Sequence, residues 1–282
     1  MFIFEEIKSL TDHLTSLRKI AKTVGFVPTM GALHQGHISL VNKAAAENDV
    51  VISSIFVNPT QFNNPDDLKN YPRTPETDQQ LLELNKVDIL FSPSVNEIYD
   101  GSKNAYPELE LGLLGNVMEG AHRPGHFAGV VQIVSRLFEI VKPEKSYFGE
   151  KDFQQLAVIR YMTKEFGFPI QIIGCPTVRE SNGLAMSSRN LRLSENGRAE
   201  ASAIFKALSL AVNKSENHSP AELKKIIARK IESVDSLKIE YIEIADEETL
   251  QPVTDWKNHF HVRCFAAVFC ENVRLIDNVK IF

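Results

Sequence analysis

Apolar runs and helical patterns alternate along the first 175 residues of this 282-residue chain, and this alternation is the feature that most restricts its fold. The run at residues 49–57 is nearly continuous in apolar side chains, as is typical of a parallel strand buried on both faces. Strands that alternate with helices predict an α/β fold, a doubly wound parallel (Rossmann-like) sheet covered by helices. Strands are predicted at residues 24–27, 49–57, 87–91, 145–148 and 169–175, and helices at residues 6–22, 36–47, 75–86, 127–141 and 152–166.

The pattern changes after Pro176. Two amphipathic helices are predicted at residues 194–212 and 220–234, followed by strands at residues 237–244, 260–269 and 275–281. We therefore expect a larger Rossmann-like domain over residues 1–175 and a smaller α+β domain over residues 176–282. Residues 93–125 contain many turn formers and are predicted to be a mixed loop region.

Composition and charge argue against several classes of protein. The net charge is −5 with no long basic run, so nucleic acid is not an expected partner. No apolar run reaches the roughly 20 residues of a membrane span, and the N-terminus lacks the pattern of a signal peptide. The three cysteines have neither metal-ligand spacing nor the even number of a disulfide framework, so we expect a cytoplasmic protein with buried thiols.

Two histidines follow the first predicted strand of the sheet, in the run Pro-Thr-Met-Gly-Ala-Leu-His-Gln-Gly-His at residues 28–37. The run predicts a glycine-containing turn and a helix that opens near Gly36. His34 and His37 then lie on one side of a helix N-terminus, whose unpaired N–H groups and partial positive charge favour phosphate. Two imidazoles there can stabilise negative charge during phosphoryl transfer. On the residues alone, a plain strand–turn–helix connection with two solvated histidines stays an alternative.

A second polar segment, Asn58-Pro-Thr-Gln61, ends the strand predicted at residues 49–57. Both amides can orient hydroxyl groups or a carboxylate of a ligand. Asn-Pro is also a common turn sequence, so turn chemistry alone would explain the segment equally well.

A third segment, Gly-Glu-Lys-Asp at residues 149–152, joins a predicted strand to the following helix. Gly149 permits a close approach of the backbone, and Lys151 is a point charge that suits a phosphate. Asp152 can instead act as a simple helix cap. Because ligands of such sheets bind outside the carboxyl ends of the strands, we expect these three segments to converge on one crevice.

Two loops add further candidates. Residues 178–190 contain Met-Ser-Ser-Arg-Asn after a glycine, and serine with arginine makes a phosphate clamp that can close over a nucleotide. An exposed loop between domains is the alternative interpretation of this segment. Residues 119–127 form a loop rich in glycine and proline, in which Arg123 can approach an anion and His126 can cap a helix or pack.

These segments resemble those of a known family. His34-Gln-Gly-His37 resembles the His-x-Gly-His signature of the nucleotidylyltransferase superfamily, and residues 28–37 as a whole resemble the pantoate–β-alanine ligase (pantothenate synthetase) family. Three further segments resemble the family and follow in the family's order: Phe56-Val-Asn-Pro-Thr-Gln-Phe62, Gly149-Glu-Lys-Asp-Phe-Gln-Gln155 and Met186-Ser-Ser-Arg-Asn190. It runs from about residue 26 to residue 190 and extends weakly to residues 275–278.

The resemblance implies an ATP-dependent ligase that condenses (R)-pantoate with β-alanine to pantothenate through a pantoyl-adenylate intermediate, with release of AMP and diphosphate. It implies Mg²⁺ as the cofactor that accompanies ATP, with no assigned protein ligand. It also implies a cytoplasmic homodimer whose partners are small-molecule substrates rather than nucleic acid or membrane, and whose C-terminal domain is a lid.

By the same resemblance, each candidate residue takes a role. Residues assigned to ATP are Met30, Gly31, Ala32, Leu33, His34, Gln35, Gly36, His37, Gly149, Glu150, Lys151, Asp152, Val178, Met186, Ser187, Ser188 and Arg189. Catalytic roles fall to His34, His37, Lys151, Ser187 and Arg189, with His37 as proton donor to the leaving group. Gln61 and Gln155 are assigned to pantoate, Gln61 also to β-alanine, and Asn58, Arg123 and His126 are further candidates.

Two other functions stay open at this point. A cytidylyl- or adenylyltransferase that acts on a phosphorylated alcohol shares the His-x-Gly-His corner, but it does not need Gln61 and Gln155 for a carboxylate substrate. A non-catalytic nucleotide-binding module would bind ATP without turnover. Diphosphate release that depends on pantoate separates the ligase from both.

Overall fold

The computed structural model of the chain describes residues 1–99, 108–257 and 260–282. Its strands are β1 (Phe2–Phe4), β2 (Val24–Thr29), β3 (Val50–Ile55), β4 (Ile89–Phe91), β5 (Lys145–Gly149), β6 (Gln171–Cys175), β7 (Leu237–Asp246), β8 (Val262–Cys270) and β9 (Val273–Lys280). Its α-helices are α1 (Ile7–Arg18), α2 (Gln35–Glu47), α3 (Pro65–Lys69), α4 (Pro75–Leu84), α5 (Val95–Ile98), α6 (Met118–His122), α7 (His126–Val141), α8 (Phe153–Glu165), α9 (Glu195–Lys214) and α10 (Pro220–Glu232).

The chain forms two compact units. Unit 1 comprises Met1–Glu110, Arg123–Glu150 and Gln155–Pro176, and unit 2 comprises Leu111–His122, Lys151–Gln154 and Thr177–Phe282. Unit 2 therefore includes two short segments that precede residue 176 in the sequence. In the described part of the chain, no helix combines the length and the apolar character needed to cross a membrane.

Unit 1 contains a six-stranded sheet in the order β1-β4-β3-β2-β5-β6, and every neighbouring pair is parallel. The predicted α/β fold is thus confirmed. Phe26, Val27 and Ile52 in the central strands are fully buried, as expected for strands covered on both faces. The sequence pattern does not predict β1, because three residues at the edge of a sheet are too few to show a period.

The order of the strands places a topological switch point between β2 and β5. From β2 the chain moves outward to β3 and β4, and it then returns to β5 on the other side of β2. Connections that diverge in this way open a crevice outside the carboxyl ends of the two strands. The His-x-Gly-His run follows β2 and Gly149 ends β5, so both border this crevice.

The predicted loop region at residues 93–125 contains, within its described residues, the two short α-helices α5 and α6 and a 3₁₀ turn at Gly112–Gly115. Helices of four and five residues complete little more than one turn, so their apolar residues cannot show a helical period. Residues 100–107 of this predicted loop lie outside the described residues. The helix that follows, α7, begins after Gly125, which has the left-handed backbone that glycine adopts easily.

Unit 2 contains a three-stranded antiparallel sheet in the order β7-β8-β9. Apolar residues of α9 and α10, among them Ile204, Leu208 and Ile227, form one core with residues of the sheet such as Val268. Two amphipathic helices that share a core with an antiparallel sheet are the α+β arrangement predicted for this part of the chain.

Candidate active site

The His-x-Gly-His run forms the connection from β2 to α2 in unit 1. His34 is the N-cap of α2, and His37 lies three residues later in its first turn. Nδ1 of His34 accepts a hydrogen bond from the N–H of Gly36 at 3.1 Å, and Nδ1 of His37 accepts one from the N–H of His34 at 3.3 Å. Each neutral ring therefore carries its proton on Nε2. The two ring centroids lie 4.1 Å apart, so two imidazole donors stand together at a helix N-terminus.

A buried carboxylate holds the turn that precedes these histidines. Gly31 and Ala32 both have left-handed backbone, with φ of 78° and 49°. The N–H groups of Ala32 and Leu33 donate to the two carboxylate oxygens of Asp78 at 2.8 and 2.7 Å. Asp78 lies on α4, is 1 % exposed and also accepts from the hydroxyl of Thr74 at 3.1 Å. A Cβ at residue 31 would lie 3.0 Å from this carboxylate, so both the backbone angle and the space favour glycine.

Asn58 and Gln61 form a buried amide pair beyond the end of β3. Nδ2 of Asn58 donates to the backbone oxygen of Gly129 at 3.1 Å, and its Oδ1 accepts from the Tyr99 hydroxyl at 2.7 Å. Nε2 of Gln61 donates to the sulfur of Met30 at 2.7 Å, which connects the end of β3 to the end of β2. The structure thus brings three sequence-predicted residues of two neighbouring strands together in unit 1.

His126 and Arg123 lie beside this amide pair, at the start of α7. Nδ1 of His126 lies 2.8 Å from the backbone oxygen of Gln61, and its Nε2 lies 3.1 Å from Nη1 of Arg123. Because arginine only donates, Nε2 accepts and Nδ1 donates, so this ring is neutral with its proton on Nδ1. The contacts of His126 therefore tie the start of α7 to the segment that carries Gln61.

The remaining candidates of unit 1 follow β5. Gly149 ends the strand, and no described heavy atom lies within 4 Å of the place where its Cβ would be, which leaves room beside the backbone. Glu150 follows directly and is half-buried. Gln155 lies in the first turn of α8 and is also half-buried.

Lys151 and Asp152 belong to unit 2. Nζ of Lys151 lies 3.5 Å from a carboxylate oxygen of Asp152, and the backbone oxygen of Lys151 accepts from Nδ2 of Asn278 at 2.9 Å. The Asp152 side chain is 44 % exposed, whereas the Lys151 side chain is 15 % exposed. The turn therefore places an ammonium group and a carboxylate side by side, with its backbone attached to β9.

The loop at residues 178–190, which we call the Ser-Ser-Arg loop, is a tightly hydrogen-bonded segment of unit 2. Arg179 and Ala185 pair as an antiparallel bridge. The N–H of Met186 donates to the backbone oxygen of Val178 at 3.0 Å, so the two candidates at the ends of this bridge are neighbours. The loop thus has a defined backbone rather than the open conformation of a simple linker.

The serines and the arginine of this loop enter a short 3₁₀ turn at Ser188–Arg192. Ser187 is its N-cap, and its Oγ accepts from the N–H of Arg189 at 3.3 Å. Ser188 is buried, whereas Ser187 and Arg189 are half-buried. Two hydroxyls and a guanidinium consequently lie within three consecutive residues, which is a donor set that suits phosphate oxygens.

In the described residues, no group of three or more His, Cys, Asp and Glu side chains is arranged to hold a metal ion. Asp152 offers an exposed carboxylate beside Lys151. A carboxylate together with phosphate oxygens is the donor set that Mg²⁺ usually takes in nucleotide sites. The chemistry of this segment therefore fits a hard divalent cation that binds together with phosphates.

The sequence patterns do not indicate the roles of Asp78 and Tyr99. Asp78 follows Thr74-Pro75 and resembles an ordinary acidic residue in the first turn of a helix, and nothing local predicts that it is buried. Tyr99 lies in the region predicted as loop, and its burial raises the pKa of its hydroxyl above the ordinary value. Both residues act on the candidate site through hydrogen bonds to segments distant in sequence.

A parallel α/β sheet with a helix N-terminus and two imidazoles at its switch point is the architecture of a nucleotide-binding α/β protein. Comparison with known families is more specific. A family model described as pantoate-beta-alanine ligase matches residues 2–280. The chain belongs to this family.

Individual relatives agree over the full length. The pantothenate synthetase of Phocaeicola vulgatus is 51 % identical over 284 residues, which cover 99 % of each chain. The pantothenate synthetase of Thermus thermophilus superimposes with a TM-score of 0.94 at 41 % identity and covers both chains completely. The pantoate-beta-alanine ligase of Francisella tularensis, solved in complex with beta-gamma ATP and beta-alanine, gives a TM-score of 0.83 at 40 % identity and covers 100 % of this chain and 98 % of its own.

Proposed function

We propose that the crevice at the carboxyl ends of β2, β3 and β5 binds pantoate and the phosphates of ATP. As a member of the pantoate–β-alanine ligase family, the chain is an ATP-dependent ligase that condenses pantoate with β-alanine. In the first proposed step, the pantoate carboxylate attacks the α-phosphorus of ATP, so that pantoyl adenylate forms and diphosphate leaves. In the second step, the amine of β-alanine attacks the activated carbonyl carbon and AMP leaves.

The observation that carries this proposal is the pair of histidines that cap α2. Their Nδ1 atoms are both acceptors for backbone N–H groups, so Nε2 is the protonated nitrogen that a phosphate oxygen needs as donor. A carboxylate is already nucleophilic, and catalysis then consists mainly of positioning and of stabilising charge. We assign His34 and His37 to the phosphates. Because Nδ1 of His37 is an acceptor, we propose that its Nε2–H donates a hydrogen bond to the leaving diphosphate, in place of the proton transfer expected from the resemblance.

Pantoate is assigned to Gln61 and Gln155, and Gln61 also faces β-alanine in this proposal. Support comes from the contact of Gln61 with Met30, which belongs to the connection that carries the two histidines. Asn58, Arg123 and His126 are proposed to set the position of Gln61 through their hydrogen bonds around it.

Gly149 and Glu150, at the end of β5 in unit 1, are also assigned to ATP, as are two segments of unit 2. Lys151, Ser187, Ser188 and Arg189 are proposed to bind the triphosphate, because they supply an ammonium, two hydroxyls and a guanidinium. Val178 and Met186, joined by a backbone hydrogen bond, are proposed to lie at the adenine. We also propose that the domain over residues 176–282 is the lid of a larger domain over residues 1–175.

We propose Mg²⁺ as the divalent cation that accompanies ATP. Asp152 is the residue of these segments that would hold it, since its exposed carboxylate matches the oxygen ligands that Mg²⁺ takes. When bound, the cation would neutralise charge on the phosphates. Replacing Asp152→Asn would then raise the Mg²⁺ concentration needed for half-maximal diphosphate release, whereas an unchanged requirement would contradict this assignment.

A cytoplasmic homodimer is proposed from the family resemblance. The three cysteines are free and buried, which suits a reducing compartment. Light scattering during size-exclusion chromatography should give twice the chain mass of 31.7 kDa. A mass equal to one chain would contradict the dimer without affecting the proposed chemistry.

Exchange of labelled diphosphate into ATP tests the proposed reaction, because only a reversible adenylation step returns diphosphate to ATP. We expect exchange that requires pantoate and proceeds without β-alanine. Exchange that instead requires a phosphorylated alcohol would indicate a nucleotidylyltransferase. ATP binding with no exchange under any condition would indicate a non-catalytic nucleotide-binding module.

A further inference from the structure

We propose that two adjacent residues of β9, Asp277 and Asn278, hold the turn at Lys151 and Asp152 and the Ser-Ser-Arg loop in one fixed arrangement, and so act as positioning residues for ATP. The inference rests on the proposed role of these two segments in ATP binding. All of the residues concerned belong to unit 2.

The first connection is a buried ion pair. Nη1 and Nη2 of Arg179 bind the two carboxylate oxygens of Asp277 at 2.6 and 2.9 Å, and Asp277 is 5 % exposed. Nη1 of Arg179 also donates to the backbone oxygen of Gly183 at 3.2 Å, and its guanidinium lies 3.7 Å from the ring centroid of Phe205. Since Arg179 begins the loop and Gly183 lies at its turn, one guanidinium fastens both parts of the loop to β9.

The second connection is made by the neighbouring amide. Nδ2 of Asn278 donates to the backbone oxygen of Lys151 at 2.9 Å. Its Oδ1 accepts from Nη1 of Arg263 at 2.6 Å, and because arginine only donates, this bond fixes which way the amide points. The N–H of Asn278 also donates to a carboxylate oxygen of Asp277 at 2.7 Å, so a hydrogen bond links the two connections.

The position of Asp277 in the strand supports a positioning role over a purely stabilising one. Its neighbours on the same face of β9, Leu275 and Val279, belong to the apolar core of unit 2. A carboxylate in such surroundings is desolvated, and a protein with well-packed apolar residues in place of a buried ion pair is often as stable or more stable. An apolar residue cannot, however, form the two hydrogen bonds to Arg179. Asn278 lies on the opposite face, so successive residues of one strand reach two different segments.

The sharpest variant is Asn278→Asp, which keeps the shape of the side chain. It retains an oxygen for Arg263 but loses the donor to the Lys151 carbonyl. Arg179→Lys tests the connection through Asp277, because lysine keeps the charge but cannot bind the two carboxylate oxygens with two nitrogens. Loss of one such hydrogen bond corresponds to about 1.4 kcal/mol, which is about tenfold in a binding constant. We expect each variant to raise the dissociation constant of a non-hydrolysable ATP analogue about tenfold in calorimetry, and to leave the KM for pantoate in the exchange assay unchanged.

Glu240→Gln is the matched control. Glu240 accepts a hydrogen bond from Nε of Arg274 at 3.0 Å, so the variant also removes a half-buried ion pair between strands of this sheet, but not one with either segment. We expect its melting temperature to fall while its affinity for the analogue stays that of the wild type. The proposal is overturned if folded Asn278→Asp and Arg179→Lys proteins bind the analogue like the wild type, or if Glu240→Gln weakens binding equally.

Two measurements separate this inference from the proposed function. Circular dichroism identifies any variant that fails to fold, and the remaining variant then decides. Calorimetry with the analogue needs no turnover, so it tests the arrangement even if the wild type shows no pantoate-dependent exchange. Absence of exchange in the wild type contradicts the proposed function, whereas wild-type affinity in both variants contradicts the role of Asp277 and Asn278.

Discussion

The turn before His34 in unit 1 and the Ser-Ser-Arg loop in unit 2 are each held by a buried carboxylate, but in different ways. Asp78 accepts hydrogen bonds directly from two backbone N–H groups of its turn. Asp277 instead binds the side chain of Arg179, which in turn contacts the backbone of its loop. The carboxylate of Asp78 therefore contacts the main chain of its turn directly, whereas the carboxylate of Asp277 reaches the Ser-Ser-Arg loop through a long side chain.

The two regions also differ in the chemistry of their neighbours. The turn before His34 contacts Gln61 through Met30, so candidate residues for phosphate and for pantoate occur together in unit 1. In unit 2 the candidate residues are assigned to ATP alone. Changes in unit 1 should therefore affect the reacting groups, while changes in unit 2 should affect ATP affinity. The following variants test this difference in order of expected effect.

His37→Ala should have the largest effect. Loss of a donor that stabilises charge in the transition state typically costs a factor of about 10²–10³ in kcat. We expect pantoate-dependent diphosphate exchange to fall by at least this factor, with an unchanged circular dichroism spectrum. His13→Ala is the control, because His13 packs against Phe2 and Phe4 at the edge of the sheet. Near-normal exchange by His37→Ala would contradict the assigned role.

Asp78→Ala should come next, because it leaves the N–H groups of Ala32 and Leu33 without their buried acceptor. Each unsatisfied buried donor costs about 1–3 kcal/mol, so for two donors we expect the free energy of unfolding in urea to fall by about 2–6 kcal/mol and exchange activity to fall with it. Glu76→Ala on the exposed side of the same helix is the matched control and should change neither. Equal changes in unfolding free energy and exchange activity in the two variants would show that the hydrogen bonds to Asp78 do not set the turn.

Gln61→Ala should act on one substrate. Removal of a hydrogen bond to a charged group costs about 1.5–3 kcal/mol, so we expect the KM for pantoate in the exchange assay to rise about 10–100-fold while the KM for ATP changes little. Gln79→Ala, a half-buried glutamine on α4, is a control of the same residue type. A similar rise in both KM values would remove the distinction between pantoate and ATP residues in unit 1.

Arg198→Ala should have the smallest effect. Arg198 binds Glu180 of the Ser-Ser-Arg loop at 2.7 and 2.9 Å, but its side chain is 49 % exposed. Exposed ion pairs contribute about 0–1 kcal/mol, so we expect less than about a fivefold change in the KM for ATP. A larger loss of ATP affinity than in Arg179→Lys would show that the exposed pair of Arg198 and Glu180, and not the buried pair of Arg179 and Asp277, holds the loop.

Local patterns predicted most of the fold and the position of the histidine pair. Buried runs and helical periods identify the strands at the centre of both sheets, and glycines with a helix start identify the turn at residues 28–37. The supporting residues were not predicted, because their partners are distant. Asp78 lies 46 residues from Ala32, and Asp277 lies 98 residues from Arg179. The one local signal at Asp277 and Asn278 is that two adjacent polar residues separate the apolar residues Leu275 and Ile276 from Val279 in β9.

The route of one oxygen atom shows most directly whether the pantoate carboxylate attacks the α-phosphorus of ATP. Pantoate labelled with ¹⁸O in its carboxylate would be converted together with ATP and β-alanine, and the phosphorus products followed by ³¹P NMR. Attack on the α-phosphorus places one ¹⁸O in the phosphate of AMP and none in diphosphate, because the oxygen that bridges carbon and phosphorus stays with phosphorus when the amine attacks. Label in inorganic phosphate with formation of ADP would contradict it, since the carboxylate would then have attacked the terminal phosphorus.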